Sequence, residues 1–223
     1  MIKRILLALG IAAAARPDSV DDILARMDNA AKEFKSYSAD VKTLDYTKVI
    51  KETDTSTGSM RLQRTKNGVS GIVDLTSGPD HHIYHFDGPK AEEFLPSANE
   101  THEYNMRKTG GSIDQFLLLG FSTTREDLLR DYDIKPGSAE KVDTVQTTRI
   151  VLTPKSAETL KLVKTIELWI PDSKGNPIQE RETEPSGNYR LVTFSNLKLN
   201  PGLPPSAFEL PAAASRAKKI KLN

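Results

Sequence analysis

The chain has 223 residues, 31 basic against 30 acidic, four histidines and no cysteine. Lack of cysteine excludes a disulfide framework, thiol catalysis and thiolate metal sites, so the fold must rest on an apolar core. The near-zero net charge gives no basis for bulk nucleic-acid binding.

Lys3 and Arg4 precede an apolar run over residues 5–15 that ends in small residues at Ala13 and Ala15, the order of a secretory signal. The run is too short for a bilayer span, which takes about 20 apolar residues. Residues 1–15 are therefore expected to be a signal peptide, leaving one domain over residues 16–223 that would be soluble and unanchored in a bacterial periplasm, since no cysteine is available for lipidation. That mature chain carries 29 basic and 30 acidic residues.

Ser19 can cap a helix over 19–35, with Ile23, Leu24, Met27, Ala31 and Phe34 on one face. The period then falls to two, and 38–50, 58–66, 68–76, 81–87, 90–96 and 101–107 read as a meander of strands broken by turns such as Asp87-Gly88-Pro89. After Gly110-Gly111, Ser112 can cap an apolar helix over 113–119 and Thr124 a second through Arg130. Strands resume at 140–153, 162–170, 177–184 and 188–199, with Asp172 to Asn176 and Pro185 to Asn188 as turns. The basic tail, Arg216, Lys218, Lys219 and Lys221, reads as a frayed or solvated terminus.

About ten strands with three helices suggest a strongly curved antiparallel sheet with the helices on its concave face. Strand parity puts Met60 and Leu62 on one face, running on to Arg64, and Ile166, Leu168 and Ile170 on another. If both point inward they make an apolar concavity with an arginine at its edge. Aromatic residues are only 6% of the chain, so that concavity is expected to be aliphatic.

No catalytic constellation emerges. Gly68-Val69-Ser70-Gly71-Ile72 lacks the last glycine of a nucleophile elbow, and no phosphate-cradling glycine loop occurs. On a strand His81 and His85 would lie about 13 Å apart, too far to share an ion. Adjacent carboxylates such as Glu92 and Glu93 would not converge on one atom. Neither a cofactor, a metal nor an enzymatic activity is expected.

Four segments in order resemble the LolA family of periplasmic lipoprotein carriers: residues 19–45, with Phe34-Lys35-Ser36-Tyr37-Ser38-Ala39 leading from helix to strand; Gly58 to Arg64; Asp87-Gly88 with Pro96 downstream; and Leu152-Thr153-Pro154-Lys155, residues 166–170 and Phe208-Glu209-Leu210-Pro211. The resemblance covers nearly all of the mature chain. It implies a mainly β, incompletely closed antiparallel barrel of about eleven strands, with a helical lid over an apolar cavity for lipoprotein acyl chains. Cavity and lid would be lined by Met60, Leu62, Arg64, Ile113, Phe116, Leu117, Ile166, Leu168 and Ile170. Arg64 falls where the family has an arginine that hydrogen-bonds to the lid; read from the residues alone, it is rather a rim arginine whose stem covers apolar surface. Thr65 stands where the family often has proline, and Arg61 where an aromatic is common. The implied partners of this monomer are acylated lipoproteins or lipids, an inner-membrane release complex and an outer-membrane acceptor. A lipid-binding sensor of the same fold is the alternative.

Overall fold

The computed structural model describes residues 18–66, 68–78, 80–88, 90–105 and 119–222. The expected signal peptide, Pro89 and the helix over 113–119 as far as residue 118, with Ile113, Phe116 and Leu117, lie outside the described residues.

Helix α1 (Val20–Glu33) opens on a capping box: the Ser19 hydroxyl accepts from the Asp22 N–H while Asp22 accepts from the Ser19 N–H. Its face of Ile23, Leu24, Met27 and Ala31 is buried, as the helical spacing requires. Strands β1 (Ser36–Thr47), β2 (Glu52–Thr65), β3 (Gly68–Ser77), β4 (His82–Asp87), β5 (Lys90–Leu95) and β6 (Glu100–Asn105) form an antiparallel meander. Helix α2 (Arg125–Asp131), capped by Thr124, leads into β7 (Tyr132–Val142) and β8 (Val145–Pro154). A one-turn helix α3 (Ala157–Leu160) precedes β9 (Thr165–Pro171), β10 (Gln179–Thr183) and β11 (Tyr189–Leu199), and β12 (Lys218–Leu222) ends the chain's regular structure.

These twelve strands make one sheet in the order β12-β6-β5-β4-β3-β2-β1-β11-β10-β9-β8-β7, mainly β and not closed by hydrogen bonds. The order is that of an incomplete barrel. Three register shifts, at Ser38/Asp40, Thr57/Gly58 and Pro136/Ala139, help it curl. At Gly58 a side chain has no room, because a Cβ would fall 1.8 Å from the Asp74 carbonyl oxygen.

Two segments depart from the sequence reading. The expected strand over 140–153 is a hairpin: β7 begins at Tyr132, runs through Pro136 and Gly137, and turns at Asp143 in left-handed backbone before β8. Proline is tolerated there because β7 is an edge strand. The basic tail, read as frayed or solvated, is β12, the other edge, parallel to β6. Lys218 pairs with Glu100 at 3.0 Å and Lys219 with Glu103 at 2.8 Å. Lysines on a sheet edge also discourage pairing with further chains.

Alternate residues divide the sheet into two faces. Inside, α1 bridges two clusters. Ile23, Leu24 and Met27 pack with Leu128, Ile150, Leu152 and the inner row of β9, while Phe34 joins Tyr37, Met60, Leu62, Phe86, Phe121 and Phe194. Outside, the segment around Leu210, Ala214 and Ala217 covers Ile72, Ile83 and Phe94, so the middle of the sheet is buried on both sides.

Candidate functional site: the concave face

Met60, Leu62, Ile166, Leu168 and Ile170 all point inward and are fully buried, as their parity predicted. They do not form one patch. Met60 and Leu62 belong to the β1–β4 cluster and the three β9 residues to the α1–β8–β9 cluster, with α1 laid between them.

Arg64 ends the inner row of β2. Its Nη2 donates to the Ala31 carbonyl at 2.7 Å and its Nε to the Phe34 carbonyl at 3.1 Å, while its own N–H bonds the Lys35 carbonyl at 2.8 Å. The C-terminal carbonyls of a helix lack intrahelical donors, and the guanidinium supplies two where the helix dipole is negative. Its carbon also lies 5.2 Å from the Phe34 ring centroid. The residue is exposed overall, as a rim arginine would be, yet its head group is committed to α1.

Behind Arg64 stands a row of rings. Phe34 stacks on Tyr37 at 4.9 Å, Tyr37 meets Phe121 edge-on at 5.1 Å, and Phe121 meets Phe194 edge-on at 5.0 Å. This row ties α1, β1, the segment before α2 and β11 together by contacts that favour offset or T-shaped geometry. The composition suggested an aliphatic concavity; instead several of the few aromatic side chains are gathered at this end. Gly120, next to Phe121, sits in left-handed backbone against Pro177, and its carbonyl accepts from Asn176 at 3.2 Å.

Away from Arg64 the inner face also carries polar groups. Glu93 accepts from His82 Nδ1 at 2.7 Å and from the Tyr104 hydroxyl at 2.7 Å, and His102 Nδ1 lies 3.6 Å away. Burial pushes this carboxyl up, but hydrogen bonds from Tyr104, His82 and Tyr84 outweigh it and hold the group below its usual range. Across the sheet Arg190 Nε bonds Asp45 at 2.6 Å. Glu180 and Glu182 lie on the inner row of β10, opposite Val192 and Arg190. Glu180 is buried with its Oε2 unpartnered, and burial, reinforced by Glu182, raises its pKa well above 4.5.

The three neighbouring histidines are separated by the strand as expected. His81 bonds Asp74 at 2.8 Å, His82 turns inward to Glu93, and His85 turns outward toward Glu92 at 3.4 Å. Glu92 and Glu93 accordingly face opposite sides. Among the described residues, no group of three or more His, Asp or Glu side chains is placed to hold a metal ion.

Sequence reasoning missed the two inner carboxyls of β10, because Gln179-Glu180-Arg181-Glu182-Thr183 is polar at every position. Only the register with Val192 identifies the inner face. It also missed His102, which reaches the His82–Glu93 pair through the β5–β6 register rather than through proximity in sequence.

No protein-family model matches the sequence, and no curated protein is significantly similar to it. Solved structures are similar in fold. A conserved protein from Thermus thermophilus overlays 92% of this chain and 100% of its own at TM-score 0.58 and 10% identity. MucB overlays 89% of this chain at TM-score 0.54 and 15% identity, and this chain spans 66% of it. A LolA superfamily protein, NE2245 from Nitrosomonas europaea, aligns over 86% of this chain and 98% of its own at 16% identity and a TM-score of 0.43. With a twelve-stranded open barrel and a helix lying across its concave face, the chain shares its fold with MucB and the Thermus thermophilus protein.

Proposed function

We propose that the chain is a periplasmic carrier whose concave face takes up the acyl chains of lipoproteins and delivers them from the inner to the outer membrane, without catalysis. The observation that carries this reading is the pairing of an apolar concave face with a helix held over it by Arg64. Acyl chains suit such a face, at about 0.8 kcal/mol for each methylene buried. A carrier must also release its load. With α1 closed, Met60, Leu62 and the β9 row are satisfied by protein contacts, and this closed form competes with cargo. Arg64 sets how strongly it competes.

A regulatory lipid-binding module is the second reading, favoured by the likeness to MucB, which has been crystallised in complex with MucA(peri). Native mass spectrometry with lipid extraction, on protein recovered from the periplasm of its own host, tests both. Bound triacylated lipoprotein is the expected result. Free lipid without lipoprotein favours the sensor, and a chain that never carries either contradicts the proposal.

A further inference from the structure

The connection between β1 and β2, residues 48–51, is Lys48-Val49-Ile50-Lys51. Val49 is 89% exposed and Ile50 59% exposed. Neither residue suits a turn, where Gly, Asn, Asp and Ser are favoured and β-branched side chains belong to strands. The turn takes its shape elsewhere: Lys51 adopts left-handed backbone, the Lys48 N–H donates to the Asn188 side chain at 3.0 Å, and Tyr46 stacks on Tyr189 at 5.0 Å just below. The apolar pair is thus held outward on a braced tip to which its side chains add little.

Where the tip lies in the fold gives it meaning. Strand polarity puts the β1–β2 turn, the β10–β11 turn and the α3 connection at the same end of the barrel, because β10 ends at Thr183 opposite Thr165, the start of β9. Leu160 and Leu162, also exposed, belong to that connection. This is the end where the inner rows of β1, β10 and β11 turn polar, at Asp45, Glu182 and Arg190. The closed end, under Arg64 and the ring row, is the other one.

We infer that the Lys48–Lys51 tip docks this end of the barrel on an anionic bilayer surface, with Val49 and Ile50 entering the interfacial layer and Lys48 and Lys51 meeting lipid phosphates. Neither lysine has an ion pair among the described residues, and both are exposed. Short apolar insertions flanked by lysine bind membranes through buried area plus attraction to anionic lipid. Glu52, next along β2, offsets one lysine, so the apolar pair supplies most of the affinity and binding is reversible. Such docking would set this end of the barrel against the bilayer, but it goes beyond the carrier reading and is measured without any cargo, so either can fail alone.

Co-sedimentation with vesicles of equal parts phosphatidylethanolamine and phosphatidylglycerol, compared with phosphatidylcholine vesicles, tests it. The unaltered chain is expected to bind the anionic vesicles better, and Val49→Ser with Ile50→Ser to weaken that binding about tenfold or more. Both positions are exposed, so an unchanged thermal midpoint verifies that the variant is folded. Ile50→Trp should show a blue-shifted emission on the anionic vesicles. Equal binding by the double-serine variant, or no binding by the unaltered chain, overturns the inference.

Discussion

The two ends of the concave face are built from different chemistry on the same strands. Where β2 finishes, Arg64, the ring row and the fully buried Met60 and Leu62 close the barrel against α1. Where β1 turns into β2, the inner rows carry Asp45, Glu182 and Arg190, and the turn carries exposed Val49 and Ile50. Apolar packing is stable only when something covers it; polar inner residues tolerate water and each other. A binding protein gains from the combination, since one end can hold the helix down while the other stays accessible.

The largest effect that should separate the ends is Phe121→Ala. It removes a fully buried ring shared by Tyr37 and Phe194, and should cost about 3–5 kcal/mol in urea unfolding. A loss below about 1 kcal/mol would mean that the ring row does not hold the closed end.

Arg64→Leu comes next. Losing two charge-assisted bonds to carbonyls should cost about 1–2 kcal/mol, at the low end because the residue is exposed. On the carrier reading this variant retains cargo but transfers it poorly, and transfer at the normal rate would rule out the role given to Arg64.

Glu180→Gln probes the inner row of β10. Because the folded state holds the Glu180 proton more tightly than the unfolded chain, wild-type stability falls as pH rises above about 4.5. Glutamine escapes that penalty, so the variant should melt higher than wild type at neutral and alkaline pH and lose its advantage below that value. Melts that stay parallel across pH would show the carboxyl is hydrated.

Glu93→Gln should have the smallest effect and the opposite sign. The depressed carboxyl contributes stability above its ordinary pKa that is lost as pH falls, so the variant is expected to be about 1 kcal/mol less stable near neutrality. The two curves should approach each other in acid.

Most of the framework was legible because it follows local rules. The Ser19 and Thr124 caps, the inward parity of Met60, Leu62, Ile166, Leu168 and Ile170, and the turns around β10 need only spacing and turn chemistry. What was hidden depends on pairing across distance. Pro136-Gly137-Ser138 looks like a strand breaker until β7 is known to be an edge, and Lys218 to Leu222 looks like a loose tail until β6 offers it Glu100 and Glu103. Likewise, Arg64 could be placed at the rim from its parity, but not its partners: Ala31 and Phe34 are 33 and 30 residues away. The inner polar groups were invisible because they come from six strands.

The claim at the centre of this account is that α1 is a cover over an acyl-binding face rather than a permanent part of the core. Hydrogen exchange on the chain alone and with a triacylated lipopeptide, its occupancy verified by native mass spectrometry, tests that most directly. The account predicts faster exchange in the last turn of α1, from Ala31 to Phe34, when the lipopeptide is bound, with the amides of β2 and β9 little changed. Full occupancy with unchanged protection at α1 would contradict it and put the acyl chains somewhere other than beneath the helix.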